Sequence, residues 1–190
     1  MNSQSRLNLP NILTLLRIMT IPVVVVLLYT REGMEIPFTR SLVTFVLFVA
    51  ATVTDLFDGY LARRYGMVTS LGKLLDPLAD KLLVCAAMVM LIPPHRVPGW
   101  MVAIVVAREI GVTALRGMAS TEGIVIAASS LGKAKTLLLN IGVAALILHY
   151  PLLGLNVHLI GMGFLVGGIV LTAWSGLDYF FRFVGETFKT

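Results

Sequence analysis

The chain has 190 residues, of which 57% are hydrophobic and 13% charged, and its formal net charge is +5. A soluble domain carries roughly twice this share of charged residues, so the composition excludes an ordinary soluble fold and indicates an integral membrane protein. Orientation in the membrane and contact with anionic lipids explain the positive charge, and nothing in the sequence favours nucleic-acid binding.

Six apolar segments are long enough to cross a bilayer as helices. They are predicted at residues 11–30, 41–62, 73–92, 99–119, 133–150 and 157–181. No linker or internal repeat divides them, so we expect an all-α, polytopic membrane protein with six transmembrane helices in one domain, residues 1–190. The first residues lack the pattern of a secretory signal peptide, so no removable leader is predicted.

Positive charge is divided unequally between the two predicted sides of the membrane. With both termini inside, twelve of the fifteen Lys and Arg residues lie toward the cytoplasm, and only Arg31, Arg40 and Arg96 lie outside. The positive-inside rule favours this orientation. In the last span, Gly163 and Gly167 have the small-xxx-small spacing that favours close helix contact, within the bundle or in a dimer.

Four of the five aspartates lie between residues 55 and 80, in otherwise apolar sequence: Asp55, Asp58, Asp76 and Asp80. A carboxylate at membrane depth costs about 3 kcal/mol or more, so the cluster indicates bound cations and chemistry that uses them. A turn near residues 66–70 would place Asp58 opposite Asp76 and Asp55 opposite Asp80. We therefore expect a polar cleft between spans two and three, open toward the cytoplasm.

Oxygen ligands without histidine or cysteine favour Mg²⁺ or Mn²⁺ over zinc or copper. Two divalent ions would balance four carboxylates, and paired ions about 4 Å apart are a recurring clamp for a phosphate during displacement. Gly59 and Gly72 leave space for a ligand beside the carboxylates, although helix packing explains them equally well, and Arg63 can meet phosphate charge. The cluster predicts a substrate that carries phosphate.

The spacing of these residues resembles the signature of the CDP-alcohol phosphotransferases, D-x2-D-G-x2-A-R-x8-G-x3-D-x3-D. All eight positions match, and they are Asp55, Asp58, Gly59, Ala62, Arg63, Gly72, Asp76 and Asp80. The resemblance extends over nearly the whole chain, including residues 9–22, 107–116 and 131–136. It is closest to members that use glycerol 3-phosphate as the acceptor.

The resemblance implies an enzyme of the bacterial inner (cytoplasmic) membrane, usually a homodimer, with its active site facing the cytoplasm. Such an enzyme transfers the phosphatidyl group of CDP-diacylglycerol to an alcohol and releases CMP. The implied metal ligands are Asp55, Asp58, Asp76 and Asp80, and Asp80 is also the implied general base. The implied nucleotide-binding residues are Asp58, Gly59, Ala62, Arg63 and Gly72.

A glycerol 3-phosphate acceptor needs further cations, because its phosphate is a dianion. Arg108 and Arg116 lie eight residues apart on span four, about 80° apart around the helix, and can face one pocket. The resemblance suggests that Arg116 and Lys135, assisted by Arg108 and with Lys133 nearby, bind this phosphate. The alternatives are interfacial snorkelling of the two lysines, and pairing of Arg108 with neighbouring Glu109 or with another helix.

Two other interpretations stay open. Relatives that form cardiolipin, phosphatidylinositol phosphate or phosphatidylserine share the signature, so another acceptor alcohol is an alternative. A cation transporter also places carboxylates at membrane depth, but it needs a pathway across the membrane. The acids of this chain crowd one side and are accompanied by cations, which favours an enzyme.

Overall fold

The computed structural model is all-α. It describes the backbone of residues 9–65, 70–121 and 130–187, and the side chains of residues 15–54, 78–118, 134–181, 184 and 185. Within these ranges there are six helices: α1 (Leu9–Leu28), α2 (Phe38–Tyr65), α3 (Ser70–Met90), α4 (Gly99–Thr121), α5 (Ser130–Leu148) and α6 (Val157–Thr187). The prediction of an all-α chain with six helices is confirmed.

One segment of the described residues, Val157–Phe181 in α6, is long and apolar enough to cross a membrane, with a mean hydropathy of 1.8. Residues 15–28, 38–54 and 134–148 form shorter apolar helical segments. Six membrane spans therefore stay a prediction. The helices α2 and α6 are longer than the predicted spans, with 28 and 31 residues, and α2 continues through the first half of the aspartate signature.

Apolar side chains lie both inside and outside the bundle. The core includes Val24, Phe48, Leu83 and Met88, which are almost fully buried where α1, α2 and α3 pack together. Many equally large apolar side chains point outward, and the most exposed include Met19, Val26, Ile110, Trp174 and Phe181. An apolar exterior of this extent would be unfavourable in water, and it suits a lipid environment.

The connections 29–37, 91–98 and 149–156 meet at one end of the bundle, which we call the loop end. The Gly33 amide donates to the Pro93 carbonyl at 2.9 Å, and the Tyr150 hydroxyl donates to the Ile36 carbonyl at 2.8 Å. The α2–α3 junction, which carries the aspartate signature, therefore lies at the opposite end. Arg31, Arg40 and Arg96 all belong to the loop end, as their predicted separation from the other cations requires.

Arg96 holds the loop end together. Its side chain is 1% exposed, and it donates to the Ser41 hydroxyl at 3.0 Å, the Ile147 carbonyl at 2.7 Å and the Ile36 carbonyl at 3.1 Å. Its guanidinium lies 5.7 Å from the centre of the Tyr150 ring. Burial lowers the pKa of this guanidinium. One planar side chain thus joins the start of α2, the end of α5 and two connections.

Local signals explain several helix ends. The Asn156 side-chain carbonyl accepts from the Leu159 amide at 3.0 Å, so Asn156 is the N-cap of α6. At the end of α1, Arg40 donates to the Leu27 carbonyl at 2.6 Å and to the Tyr29 carbonyl at 2.7 Å. Both contacts satisfy backbone groups that a helix terminus leaves without an intrahelical partner.

Close packing of α5 against α6 depends on three glycines. A Cβ atom on Gly142 would lie 2.8 Å from the Leu165 amide nitrogen, and one on Gly161 would lie 2.9 Å from the Ala145 Cβ. A Cβ on Gly168 would lie 2.8 Å from the Leu139 side chain. The predicted pair is not part of this close contact: a Cβ on Gly163 would meet nothing within 4 Å, and one on Gly167 would lie at an ordinary 3.7 Å from the Leu138 side chain.

We expect Gly142→Ala to destabilise the protein by about 1–3 kcal/mol, because the new methyl group would meet backbone atoms of α6 that cannot rotate away. The matched control is Gly163→Ala, which should be neutral or slightly stabilising, since alanine is the better helix former. Thermal unfolding of the detergent-solubilised protein measures both. Equal melting temperatures for the two variants would contradict the assigned packing.

We expect Arg96→Lys to destabilise the protein by about 2–3 kcal/mol, since a single ammonium group cannot reproduce the fork that reaches three separate segments. Arg31→Lys makes the same chemical change at an exposed residue of the same end, and should leave the melting temperature nearly unchanged. If Arg96→Lys melted like wild type, the loop end would not depend on this side chain.

Candidate active site

The aspartate signature lies on the last part of α2 and the first part of α3. The ends of these helices, Tyr65 and Ser70, are five residues apart, so their Cα atoms are separated by about 18 Å at most. The helical backbone places Asp55 and Asp58 on one face of α2, and Asp76 and Asp80 on one face of α3. Two carboxylate faces therefore lie on adjoining helix ends.

Several predicted site residues lie outside the described side chains, so their convergence stays a prediction. These are the metal-ligand candidates Asp55, Asp58 and Asp76, the nucleotide-site candidates Gly59, Ala62, Arg63 and Gly72, and the acceptor-site candidate Lys133. Among the side chains that the structure describes, no group of three or more His, Cys, Asp or Glu residues could hold a metal. Three of the four predicted ligands lie outside these side chains, so the metal site stays a prediction.

The chemistry of the predicted donor set fits a hard divalent cation. It consists of carboxylates alone, and the histidines of the chain, His95, His149 and His158, belong to the loop end, opposite the α2–α3 junction. Oxygen donors without imidazole or thiolate suit Mg²⁺ or Mn²⁺. The four aspartates are therefore the residues that could hold such ions.

Asp80 is the signature residue whose side chain is described. It lies on α3, is half-buried, and directly precedes Lys81. Asp80 therefore lies on the same helix as a lysine that reaches α4, where Lys81 Nζ donates to the Thr113 hydroxyl at 2.7 Å.

We call the charged group formed by Lys81, Arg108, Glu109 and Lys135 the Glu109 cluster. One carboxylate oxygen, Oε1, accepts from Arg108 Nη1 at 3.0 Å and from the Lys135 ammonium, and Oε2 lies 3.4 Å from Lys81 Nζ. Lys135 is 5% exposed. Lys81 belongs to α3, Arg108 and Glu109 to α4 and Lys135 to α5, so the cluster joins these three helices.

Contacts of Arg108 connect the Glu109 cluster to α6. Arg108 Nη2 donates to the Ser175 hydroxyl at 2.8 Å, and the Arg108 side chain passes close to Gly176, where a Cβ would lie 3.2 Å away. Lys81 Nζ also donates to the Thr113 hydroxyl at 2.7 Å. Four helices therefore contribute to one polar site inside an apolar bundle.

Arg116 occupies a neighbouring position. Its guanidinium lies 5.8 Å from the centre of the Tyr179 ring, and the side chain of Arg116 is exposed while Tyr179 is 7% exposed. Ser175 and Tyr179 are one turn apart on α6, so Arg108 and Arg116 reach the same face of that helix. The buried Tyr179 hydroxyl has no hydrogen-bond partner among the described atoms.

The arrangement is suited to binding an anion. Three cations contact one carboxylate, and Arg116 lies beside the same face of α6. The predicted grouping of Arg108 with Lys135 is present in the structure, and so is the alternative pairing of Arg108 with an adjacent acid. Sequence reasoning did not find the central position of Glu109 or the stacking on Tyr179, because both depend on contacts between helices.

Comparison with known proteins gives a family match over most of the chain. The model of the family described as CDP-alcohol phosphatidyltransferase matches residues 7–174. This range includes the whole signature, the Glu109 cluster and Arg116.

Several bacterial proteins are similar in sequence over nearly their whole length. The CDP-diacylglycerol--glycerol-3-phosphate 3-phosphatidyltransferase of Bacillus subtilis (strain 168) is 40% identical over 184 residues, covering 91% of this chain and 93% of the relative. The enzyme of the same name from Rickettsia typhi is 39% identical, with 91% and 95% covered. A probable phosphatidylglycerophosphate synthase of Mycobacterium tuberculosis (strain ATCC 25618 / H37Rv) is 38% identical, with 92% and 81% covered.

Proposed function

This chain belongs to the CDP-alcohol phosphatidyltransferase family, and on that premise we propose that it uses glycerol 3-phosphate as its acceptor. It transfers the phosphatidyl group of CDP-diacylglycerol to the 1-hydroxyl of sn-glycerol 3-phosphate, giving phosphatidylglycerophosphate and CMP. Relatives named for this reaction cover most of the chain. The choice of glycerol 3-phosphate as the acceptor rests on the three cations around Glu109, which suit an alcohol that carries a phosphate.

The reaction is a displacement at the β-phosphorus of CDP-diacylglycerol. The acceptor hydroxyl oxygen forms a bond to this phosphorus while the bond to the oxygen that bridges the two phosphates breaks, and CMP leaves with that oxygen. Asp80 accepts the proton of the acceptor hydroxyl as the general base. Asp80 directly precedes Lys81 of the Glu109 cluster, so the proposed base and one of the cations belong to the same turn of α3, which supports this role.

Asp55, Asp58, Asp76 and Asp80 would hold Mg²⁺ or Mn²⁺, with two ions expected from the charge of the donor set. Such ions supply electrostatic stabilisation of the charge that develops on the phosphate oxygens. Asp58, Gly59, Ala62, Arg63 and Gly72 bind the cytidine nucleotide. The small residues of this set leave space for the ligand, and Arg63 meets phosphate charge.

Arg116 and Lys135 bind the phosphate of the acceptor, with Arg108 and Lys133 assisting. Arg116 presents a planar fork that is oriented by the Tyr179 ring. Lys135 and Arg108 are held on the same oxygen of Glu109 and so lie side by side. These placements support a compact phosphate site close to Asp80.

We place the enzyme in the bacterial inner membrane, with six transmembrane helices, both termini in the cytoplasm and the active site facing the cytoplasm. The extensive apolar exterior and the concentration of cations away from the loop end support this topology. A lipid substrate also requires access from the bilayer. A homodimer is expected from the family.

Other acceptors are less suited to this site. Serine carries no phosphate and would leave these cations without that anionic partner. A panel of alcohols, assayed with purified protein, CDP-diacylglycerol and Mg²⁺ by CMP release, tests the proposal. Glycerol 3-phosphate should be strongly preferred, and equal use of glycerol would remove the reason for a dedicated phosphate site.

Asp58→Asn and Asp76→Asn should each abolish metal-dependent CMP release while leaving insertion into the membrane intact, because each change removes a ligand charge but little volume. Asp178→Asn changes the remaining aspartate of the chain, outside the signature, and serves as the control that keeps activity. Turnover within a few-fold of wild type at saturating metal in either signature variant would contradict the metal assignment.

Arg116→Gln and Lys135→Gln should each raise the KM for glycerol 3-phosphate about tenfold or more, because a charged hydrogen bond to phosphate contributes about 1.5–3 kcal/mol. The KM for CDP-diacylglycerol should change far less, and Arg116→Lys should also be impaired. Arg31→Gln, at the loop end, is the control. Equal increases of both KM values would indicate general damage to the cleft.

A further inference from the structure

We propose that Glu109 is a positioning residue for the acceptor, which sets the spacing of the cations that bind the phosphate of glycerol 3-phosphate. The inference rests on the proposed function. It adds a residue that lies outside the aspartate signature and carries the same sign of charge as the substrate, so it would not be expected to bind that substrate directly.

The two carboxylate oxygens of Glu109 have different partners. Oε1 accepts from both Arg108 Nη1 and the Lys135 ammonium, whereas Oε2 faces Lys81 Nζ at 3.4 Å. Two donors on one oxygen must lie next to each other, because both are within hydrogen-bond distance of the same atom. Arg108 and Lys135 therefore form a pair of adjacent cations contributed by two different helices.

Without the carboxylate this pair would separate. Like charges repel most strongly where water is scarce, and Lys135 is almost fully buried. Lys135 has a flexible four-carbon chain, so the side chain has alternatives once its partner is removed. Arg108 is also attached to α6 through the Ser175 hydroxyl at 2.8 Å, and would stay near that helix while Lys135 moved away.

The charge balance argues for positioning rather than for structure alone. A purely structural pair needs one cation for one carboxylate, but three cations contact Glu109. Glu109 thus reduces repulsion among the three cations and keeps them together where the acceptor phosphate would bind.

Geometry links this cluster to the reacting groups. Lys81, which faces Oε2, follows Asp80 directly on α3 and is held by the Thr113 hydroxyl of α4. A carboxylate that fixes Lys81, Arg108 and Lys135 together therefore also fixes the phosphate site relative to the base. Loss of Glu109 should affect the acceptor and leave the nucleotide side of the cleft unchanged.

The experiment compares Glu109→Gln and Glu109→Asp with wild type, using steady-state CMP release with each substrate varied in turn. We expect Glu109→Gln to raise the KM for glycerol 3-phosphate about tenfold, as for the loss of one charged contact. The KM for CDP-diacylglycerol should stay within about twofold. Glu109→Asp keeps the charge but shortens its reach, and should restore part of the affinity.

A double-mutant cycle separates positioning from an independent effect. If Glu109 acts through Lys135, the variant with both Glu109→Gln and Lys135→Gln should bind the acceptor about as weakly as Lys135→Gln alone. If the two substitutions instead multiplied their separate effects on the KM for glycerol 3-phosphate, the inference would be overturned. An unchanged or lowered KM for glycerol 3-phosphate in Glu109→Gln would also overturn it, because the carboxylate would then be a competitor of the phosphate.

The outcomes distinguish this inference from the proposed function. Wild-type enzyme that does not use glycerol 3-phosphate would contradict the function itself. Wild-type enzyme that uses it, together with equal changes of both KM values in Glu109→Gln, would leave the function standing and make Glu109 structural. If Glu109→Gln does not fold, Glu109→Asp decides between the two roles. A selective rise of the KM for glycerol 3-phosphate in Glu109→Asp supports positioning, and an unchanged KM overturns it.

Discussion

Charge enclosed in an apolar helix bundle must be balanced by the protein itself, because lipid offers no hydrogen bonds and little dielectric screening. This constraint acts at both ends of the molecule. At the loop end, Arg96 is balanced by carbonyl oxygens and a hydroxyl from three segments. Toward the other end, Glu109 is balanced by three cations from three helices.

Arg96 and the Glu109 cluster differ in how their charges are partnered, and this difference separates a structural group from a functional one. The hydrogen bonds of Arg96 go to groups of the protein, so that end is closed and serves to hold connections together. The Glu109 cluster holds three cations on one carboxylate, and in the proposed function the phosphate of the acceptor is a further anionic partner of these cations.

Particular residues show where prediction from sequence succeeded and where it did not. Helix number and approximate bounds followed from hydropathy, since an apolar run of sufficient length has few alternatives to a helix. The spacing of Gly163 and Gly167 predicted close helix contact within the bundle or in a dimer, but the close α5–α6 contact is made by Gly142, Gly161 and Gly168. Small residues show that helices can approach closely, but only the relative rotation of two helices decides which glycine lies between them.

The sequence by itself determined the family, the reaction and the candidate metal ligands, because a signature of fixed gaps on two consecutive helices is local information. The family match and the similar enzymes confirm the family and the reaction, and the metal ligands stay a prediction. Only the tertiary structure decided that Lys81 and Lys135 reach the carboxylate that also pairs with neighbouring Arg108, and that the Arg116 guanidinium lies over the Tyr179 ring. The contacts of Lys81, Lys135 and Arg116 join residues 26 to 63 positions apart, and such distances are closed by helix packing, which no local pattern of residues specifies.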